Sequence, residues 1–368
     1  MLIARDHAPA TSDPIDALSE ADQTMAIAKA LDAAAAAEET GHVGIGGSLK
    51  VLRAAGWLDD DGTVNPARTV QRLQRVAAAN LPVGRLWEGH MNALYLAGIH
   101  GDAAAQASVL SLAADGAILG VWGADGAVPV APGQNDRLVG DKTFASGLGT
   151  VTHAIVTVSS GPAVRLGLID VRDGGRADAQ TWQMLGMRAT ASGRFDTSGI
   201  ALQDVIWLGA PGAYVTEPHF IGGVWRIAAL QIGAAFGLLE AAADSLRARD
   251  RLSAPAQMAR LSSVAIKAMA AAALVTRAAR AAAPDADGTA RHAPILSAAA
   301  RLATEEVALD AIRAVEQSVG LAHFADGAVT GRKARDLSVY LRQAARDAFQ
   351  TRVGEACLNE EGTLWDFI

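Results

Sequence analysis

The stretch VTHAIVTVSSGPAVRLGLIDV, residues 151–171, decides the fold of this chain. Two runs rich in Val, Ile and Leu, Val151–Ser159 and Val164–Val171, are separated by little more than a Gly-Pro pair. This pattern is typical of two strands joined by a tight turn. Similar short runs and turn signals extend from about Gly116 to Tyr214. Strands without helices between them favour an antiparallel sheet or barrel over alternating strands and helices.

Helical patterns flank this β-rich region on both sides. Before it, residues 15–38 are rich in Ala, and residues 66–80 and 85–115 have helical spacing of apolar positions. After it, apolar residues recur at every fourth position from Leu230 to Leu246, which marks one buried helix face. Three more helices are predicted farther along the chain, over residues 256–283, 295–319 and 333–357.

The order of these patterns predicts three domains. They are a helical domain over residues 1–115, a β domain over residues 116–215 and a helical bundle over residues 216–368. A chain of 368 residues is longer than one core usually supports, which agrees with several domains. Aromatic residues make up only 5% of the chain, so Ala, Leu, Val and Ile must fill the cores.

Composition excludes several classes of protein. Hydrophobic residues make up 51% of the chain and charged residues 19%, which excludes a disordered protein. The net charge is −7 at pH 7, and no basic cluster indicates a nucleic-acid surface. Cys357 is the single cysteine, and no His or Cys pair has the spacing of a metal site. With no apolar h-region at the N-terminus and no evident apolar span, we expect a cytoplasmic protein without membrane, metal or nucleic-acid partners.

Several motifs between about residues 70 and 350 resemble those of the acyl-CoA dehydrogenase family in order and spacing. The segment Gly140-Asp-Lys-Thr-Phe-Ala-Ser-Gly147 is similar to the family's G-x-K-x-W-[IV]-[ST]-N segment. The segment Gly186-Met-Arg-Ala-Thr-Ala-Ser192 resembles its G-x-R-x-[ST] element. The other matching positions are Phe195, Asp204-Val205, Glu217-Pro-His-Phe220, Trp225, Gln317, Gly320 and the pair Arg335-Asp336.

This resemblance implies an α+β fold that is mostly helical. An N-terminal helical domain precedes a central antiparallel β domain, and a C-terminal four-helix bundle follows. The resemblance also implies an FAD-dependent oxidoreductase that desaturates a small-molecule substrate such as a CoA thioester. An electron acceptor such as an electron-transfer flavoprotein would then reoxidise the flavin. A homodimer or homotetramer is expected, as in the family.

The resemblance assigns four residues to the flavin ring. Phe144 would stack on the ring, and Ser146 would donate a hydrogen bond to N5. The family's Y-x-x-T-E strand aligns with residues 120–124 of this chain. The backbone N–H groups of Val121 and Trp122 would therefore meet the pyrimidine edge.

The ADP half of FAD would bind elsewhere by the same resemblance. Arg249 or Arg251 and Gln257 would lie at one end of that site, while Gln317 and Gly320 would approach from a neighbouring subunit. The fork of an arginine matches the oxygens of a pyrophosphate. The chain has no strand followed by G-x-G-x-x-G and no P-loop, so this mode of binding is the one expected for FAD.

The catalytic glutamate of the family has no counterpart at either of its two positions. These positions fall near Ala344 and near Gly223 or Val224, and none of the three is acidic. A carboxylate is needed for the usual proton abstraction. No helix-breaking glycine follows Ala344, so we expect the helix to continue through Phe349.

This missing base leaves two alternatives to desaturation. One is a flavin-dependent monooxygenase on the same fold, which uses oxygen and reduced flavin supplied by a flavin reductase. The other is a non-catalytic homologue with a binding or assembly role.

Other polar residues are candidates for the pocket. Glu88 and His90 lie where the family's helix faces the acyl tail, and such a pair could act as a base. Asn92 follows them and is predicted to bind substrate. Near the missing base, Arg342 is predicted to act in catalysis on an anionic substrate, and Tyr340 to contact that substrate.

Overall fold

The computed structural model describes residues 19–284, 286, 289–358 and 364–367. Helices form its first and last parts, and a small β domain lies between them, as the sequence predicts. Residues 15–18 of the predicted Ala-rich helical segment lie outside the described residues.

Four of the five helices described in the N-terminal part begin at a residue whose side chain caps the helix. Asn80 ends one helix and begins the next, because its side-chain oxygen accepts from the N–H of Val83 at 3.4 Å. The predicted helical stretch 85–115 is two helices, since Asp102 caps the second by accepting from the N–H of Ala105 at 2.8 Å. The helices described are Glu20–Glu39 (α1), Gly46–Ala54 (α2), Pro66–Ala79 (α3), Leu81–His100 (α4) and Ala103–Ala114 (α5).

The β domain follows α5 and contains two main sheets. One sheet has the strand order β1-β5-β6-β9, and the other has the order β4-β8-β7. The described strands are Leu119–Trp122 (β1), Ala131–Pro132 (β2), Leu138–Val139 (β3), Asp141–Ala145 (β4), His153–Ser160 (β5), Ala163–Asp170 (β6), Ala177–Asp178 (β7), Gly193–Asp196 (β8) and Ile206–Leu208 (β9).

The hairpin predicted from residues 151–171 is confirmed. Strands β5 and β6 are antiparallel, and Ser160 pairs with Ala163 across the turn. One pairing departs from the antiparallel expectation, because β1 and β5 are parallel. The chain between them forms β2, β3 and β4 and so returns to the end of the sheet at which β1 began.

The C-terminal part is a helical bundle around one long central helix. The face predicted from Leu230 to Leu246 is confirmed, since its apolar residues at every fourth position are all buried. Gly237 allows this helix to approach α3, because a Cβ there would lie 2.1 Å from the carbonyl oxygen of Ala78. The helices described are Trp225–Arg247 (α6), Pro255–Ala281 (α7), Ala293–Val319 (α8), Val329–Tyr340 (α9) and Arg346–Leu358 (α10).

The prediction of one continuous helix over 333–357 is wrong. Helix α9 ends at Tyr340 and α10 begins at Arg346. Ala345 takes the left-handed conformation, with φ of 63°, so the chain reverses there without a glycine. The sequence contains no signal of the break because neither glycine nor proline lies between Tyr340 and Arg346.

Two helical segments have the length and apolar composition of a membrane span. They are Ile221–Arg247 and Pro255–Ala281, with mean hydropathy of 1.4 and 1.5 over their most apolar windows. The first is 78% buried within the protein over that window, and the second is 28% buried. Core helices of soluble proteins pass the same test, so these two helices are weak support for a membrane protein.

Candidate functional site

Phe144 is an exposed aromatic residue at the end of β4. Its side chain is 57% exposed, and its φ of 53° lies in the left-handed region. The register of β4 against β8 shifts between Lys142 and Ala145, and such a bulge re-aims the side chain that it carries. The edge of the ring contacts Trp182, with 6.3 Å between ring centroids. An apolar ring held outward in this way can stack on a flat ligand.

Ser146 ends a row of three hydroxyl groups. Ser192 Oγ donates to Ser146 Oγ at 3.2 Å, and the hydroxyls of Ser192 and Thr190 are 2.8 Å apart. Thr190 and Ser192 are buried, whereas Ser146 is half-buried. Because Ser146 accepts from Ser192, its own proton is free to be donated to a ligand.

Trp122 belongs to the core of the β domain. Its ring packs against Phe195 with 5.3 Å between centroids, and its indole N–H donates to the carbonyl of Ser146 at 3.0 Å. Only the backbone of Val121 and Trp122, on an edge strand of the sheet, is left to meet a ligand. The expected backbone contacts to a flavin stay a prediction.

The Arg335-Asp336 pair joins the β domain to the helical bundle. The N–H of Met187 donates to the buried carboxylate of Asp336 at 2.6 Å. Burial raises the pKa of Asp336 to about 6, although the hydrogen bond from Met187 opposes this shift. A Cβ on Gly186 would lie 2.2 Å from the carbonyl oxygen of Arg335, so only glycine fits this contact.

His90 lies in the core, with both ring nitrogens engaged. Nε2 lies 2.8 Å from the carbonyl oxygen of Leu58, and Nδ1 accepts from the N–H of Leu119 at 2.9 Å. Burial lowers the pKa of His90 to about 4, so the ring is neutral at ordinary pH. The geometry supports a structural role for His90, which ties α4 to β1, and leaves no nitrogen free for the predicted role as a base.

Glu88 faces a different side of α4 from His90. Its carboxylate is buried and pairs with Arg85, with 2.6 Å between Oε2 and Nη1. Asn92 follows Glu88 by four residues, so both lie on one face of the helix, and Asn92 is half-buried. The predicted Glu88–His90 pair is therefore not formed, because a separation of two residues places the side chains on different faces.

Tyr340 brings α9 into the neighbourhood of Glu88. Among the described residues its buried hydroxyl has no hydrogen-bond partner. Burial raises the pKa of Tyr340, and the Glu88 charge adds to the effect. Burial also raises the pKa of Tyr214, and the Glu88 charge adds to that shift. Burial lowers the pKa of Arg226, and the Glu88 charge opposes that shift. An orphan buried hydroxyl of this kind is a candidate for contact with a ligand.

The positions of the missing base carry no carboxylate in the structure either. Ala344 is exposed in the break between α9 and α10, and Arg342 is exposed in the same break. Gly223 and Val224 belong to the 3-10 turn Ile221–Val224 that leads into α6. The catalytic role predicted for Arg342 stays a prediction, and its exposure sets it apart from the buried Tyr340.

Gln257 and the segment from Gln317 to Gly320 meet within one chain. Gln257 Nε2 donates to the carbonyl of Ser318 at 3.2 Å, and Gln317 beside it is exposed. Gly320 has φ of 69° and ends α8. The sequence had assigned these two groups to different subunits of one site, whereas the structure shows that they are also neighbours in the fold.

The two candidate arginines lie at the far end of α6. Arg249 donates from Nε to the carbonyl of Ser245 at 2.9 Å and from Nη2 to the Ser245 hydroxyl at 2.8 Å. Arg251 is exposed. Arg249 thus satisfies the end of its own helix, and a role in binding pyrophosphate stays a prediction.

Two surface grooves lie elsewhere, beside α1, α3 and α6. Their volumes are about 950 and 700 Å³, and Arg75, Ala78 and Glu240 line both of them. No residue of the β domain lines either groove. Within the described part of the chain no group of three His, Cys, Asp or Glu side chains could hold a metal ion.

One residue of the buried polar neighbourhood, Arg226, was not predicted from the sequence. Arg226 is 3% exposed, and its guanidinium lies over the ring of Tyr95 at 4.5 Å. Tyr95 in turn bonds His219, with 2.8 Å between the hydroxyl and Nδ1. A charged residue at the second position of a long apolar helix was the available signal, since such a residue is rarely buried without a function.

The residues present fit a flavin ring at the edge of the β domain. The segments that the motifs identified contain three suitable groups. They are the outward ring of Phe144, the Ser146 hydroxyl, which can donate a hydrogen bond, and the edge strand that includes Val121. The buried hydroxyl of Tyr340 supplies an unpartnered polar group on the bundle side.

No protein-family model matches the chain, and no curated protein matches it. Solved structures do match. FMN-bound TdsC from Paenibacillus sp. A11-2 has a TM-score of 0.78 at 18% identity, over 92% of this chain and 96% of that one. Methanesulfinate monooxygenase MsuC from Pseudomonas fluorescens has a TM-score of 0.72 at 17% identity, over 93% and 97%.

A third match is 3-HSA hydroxylase from Rhodococcus sp. RHA1, with a TM-score of 0.73 at 20% identity, over 92% of this chain and 96% of that one. Matches at identities this low support the fold of this chain but not its activity. The chain has the acyl-CoA dehydrogenase fold, mostly helical with a central β domain, and the predicted fold class is confirmed.

Proposed function

We propose that the protein is a flavin-dependent monooxygenase that acts on a small molecule with reduced flavin and oxygen. The observation that carries this proposal is the lack of a suitably placed, unpaired carboxylate in the described part of the chain. Among the described residues, the buried carboxylates are those of Glu38, Glu88, Asp141, Glu305 and Asp336. Each of them accepts a hydrogen bond from another group of the protein. Desaturation of a thioester needs a carboxylate base beside the substrate, and the two base positions of the family, near Ala344 and near Gly223 or Val224, carry no acid.

The matched structures support the same choice. TdsC is a dibenzothiophene monooxygenase, MsuC is a methanesulfinate monooxygenase, and the third match is a hydroxylase. Desaturation, the function first implied by the sequence, has less support than this alternative. Supply of reduced flavin by a separate reductase follows from the proposal.

The proposed roles of the residues are those of a binding site. Bound reduced flavin supplies the activation of oxygen. Phe144 would cover one face of the flavin ring, and the Ser146 hydroxyl would donate a hydrogen bond to a ring nitrogen. Tyr340 would donate its orphan hydroxyl to the substrate on the bundle side, where burial excludes water.

The proposal names a flavin rather than FAD in particular. The ADP half distinguishes FAD from FMN, and the contacts described for its predicted residues are within the chain: Arg249 bonds Ser245, and Gln257 bonds Ser318. Equilibrium dialysis of the purified chain against FMN and FAD in parallel separates the two. Tighter binding of FAD than of FMN would support a role for Arg249, Arg251 and Gln317 in binding the ADP half.

Three experiments test the proposed activity. The first measures flavin binding: we expect the chain to bind FMN or FAD, and failure to bind either would support the non-catalytic alternative. Second, anaerobic mixing of the flavin-loaded protein with acyl-CoA thioesters should leave the flavin colour unchanged. Bleaching of the flavin would instead support desaturation as the activity. Third, with a reductase, NADH, oxygen and indole as the probe, we expect oxygen-dependent product that is absent without the protein; TdsC is known to bind indole.

Self-association is proposed as well. Helix α7 exposes three apolar residues, Met258, Ile266 and Met269, at 47%, 63% and 59%. Such a face is usually covered by another molecule. We expect a homodimer or homotetramer, which light scattering coupled to gel filtration measures.

A further inference from the structure

Arg226 is a buried cation without a carboxylate partner. Four Lys and Arg residues are buried among the described ones. Lys142, Arg301 and Arg332 each have a carboxylate oxygen within 4 Å, at 2.5, 2.7 and 3.9 Å. No described acid lies within that distance of Arg226, which is 3% exposed. A buried charge of this kind is costly unless something pairs with it.

The protein holds the Arg226 guanidinium in place without using most of its donors. The group lies 4.5 Å from the ring centroid of Tyr95 and 5.0 Å from that of Trp225, so two aromatic rings fix its plane. Within the described chain it donates one hydrogen bond, from Nη1 to the carbonyl of Gly223 at 3.3 Å. Its Nε is buried without a partner. A guanidinium offers five N–H groups, so this one is positioned but mostly unsatisfied.

The surroundings of Arg226 do not cancel its charge. Burial lowers its pKa, and the more distant carboxylates of Glu88, Asp61 and Asp60 oppose this shift. Glu88 is already paired with Arg85 at 2.6 Å, so that pair is close to neutral. An arginine stays protonated even when buried, so Arg226 keeps a positive charge, and no described carboxylate lies within 4 Å of it.

Arg226 lies beside one of the two positions at which the resemblance places the catalytic glutamate of the family. One of the family's two base positions falls near Gly223 or Val224. A Cβ on Gly223 would lie 3.0 Å from Nη1 of Arg226, so the guanidinium occupies the space that a side chain would need. Where a carboxylate was expected, the structure presents a cation.

We propose that Arg226 binds an anionic group of the substrate, a carboxylate or an oxyanion of similar size. The inference rests on the proposed function in one respect, because it takes the anion to belong to the molecule that is oxidised. A carboxylate can accept from two guanidinium nitrogens at once, which is the geometry that the unsatisfied donors of Arg226 offer. The orphan hydroxyl of Tyr340, near the same Glu88, is a second donor for a polar group of that molecule.

The experiment compares an anion with its neutral isostere. Isothermal titration of the full chain, flavin-free and flavin-loaded, uses benzoate and benzamide, with acetate as a smaller probe. We expect the wild type to bind benzoate at least about tenfold more tightly than benzamide, since hydrogen bonds to charged groups contribute that much. Arg226→Met should remove this preference and leave benzamide binding within about threefold. Arg226→Lys should keep a weaker preference.

Arg165→Met is the matched control. Arg165 also lies over a tryptophan, Trp207, at 4.9 Å, and also donates one hydrogen bond to a backbone carbonyl, that of Gly209 at 2.8 Å. Its replacement should leave the preference for benzoate unchanged. Thermal unfolding provides a second readout: benzoate should raise the melting temperature of the wild type and of Arg165→Met but not that of Arg226→Met.

Two results would overturn the inference. One is that neither benzoate nor acetate binds the wild type more tightly than it binds Arg226→Met. The other is that Arg226→Met unfolds at a much lower temperature while its preference for benzoate persists, which would make Arg226 a structural residue. The flavin content of the same preparations is read from their visible spectra. If neither FMN nor FAD bound the chain in equilibrium dialysis while the Arg226-dependent preference for benzoate persisted, the monooxygenase proposal would be contradicted and the anion site retained.

Discussion

The two sides of the candidate site are built by different physics. The β-domain side, around Phe144 and Ser146, is neutral, partly exposed and shaped by a bulge and a row of hydroxyl groups. The helical side, around Arg226 and Tyr340, is buried and carries charge. The first depends on local backbone geometry within a few residues of sequence. The second exists only because α4, α6 and α9 pack together, so the two sides should respond differently to substitution.

His90 links α4 to the backbone of Leu58 and to β1, and its replacement should have the largest effect. His90→Ala removes the hydrogen bonds to the backbone of Leu58 and Leu119 and leaves a cavity between α4 and β1. We expect a loss of about 3–5 kcal/mol in the free energy of unfolding. Urea denaturation followed by circular dichroism measures it. The exposed His42 provides the control, His42→Ala, which should cost far less. Normal stability together with lost turnover would instead support a catalytic His90.

Asp336 docks the β-domain loop on the bundle, and its effect should depend on pH. Its folded-state pKa is raised to about 6, above the value near 4 of an unfolded aspartate, so the folded state holds the proton more tightly. The stability that this group contributes is present below about pH 4 and is lost as pH rises through about 6. Asp336→Asn cannot ionise and should lack that loss.

Urea denaturation at pH 4.5 and pH 7.5 measures the difference. Relative to the wild type, Asp336→Asn should gain about 2 kcal/mol between the two pH values. The exposed Asp204, replaced in Asp204→Asn, is the control and should show no such gain. A constant difference at both pH values would contradict the raised pKa.

Phe144 tests the β-domain side by itself. Phe144→Ala removes an exposed ring, so we expect the free energy of unfolding to change by less than about 0.5 kcal/mol. Flavin affinity should fall about tenfold, because a stacked aromatic pair contributes about 0.5–1.5 kcal/mol beyond its area. Fluorescence titration with FMN measures the affinity. Leu185→Ala, at a residue 78% exposed in the same domain, should leave it unchanged.

Tyr340 tests the helical side, and the effect on stability should be small and of opposite sign. Tyr340→Phe removes a buried hydroxyl that has no partner among the described residues. The free energy of unfolding should stay the same or rise by up to about 1 kcal/mol, whereas turnover should fall. Thermal unfolding and the reductase-coupled assay measure the two quantities. A clear loss of stability would mean that the hydroxyl is hydrogen-bonded in the folded protein.

Much of the fold could be predicted from the chain alone. The hairpin of residues 151–171 and the apolar face from Leu230 to Leu246 are local periodic patterns, and both are confirmed. The break between α9 and α10 was missed because Ala345 gives no signal of a left-handed conformation. The parallel pairing of β1 with β5 was missed because a pairing partner distant in sequence is not encoded in the period of a strand.

The candidate site divides in the same way. Phe144 and Ser146 were found through a contiguous motif, and the structure places them at an exposed bulge and in a row of hydroxyl groups. His90 was proposed as a base because the sequence shows that an imidazole is present but not which backbone groups it contacts. Arg226 was missed, since nothing in its neighbours along the chain reveals that no acid faces it.

The sequence by itself determined the order of helices and strands and the lack of a carboxylate at the two expected positions. These are properties of local spacing and of residue identity. Tertiary structure alone decided which polar groups are paired. It joined Glu88 to Arg85, engaged both nitrogens of His90, and left Arg226 and Tyr340 with unsatisfied buried donors. Hydrogen bonds and ion pairs form between residues far apart in the chain, so their presence is fixed only when the helices pack.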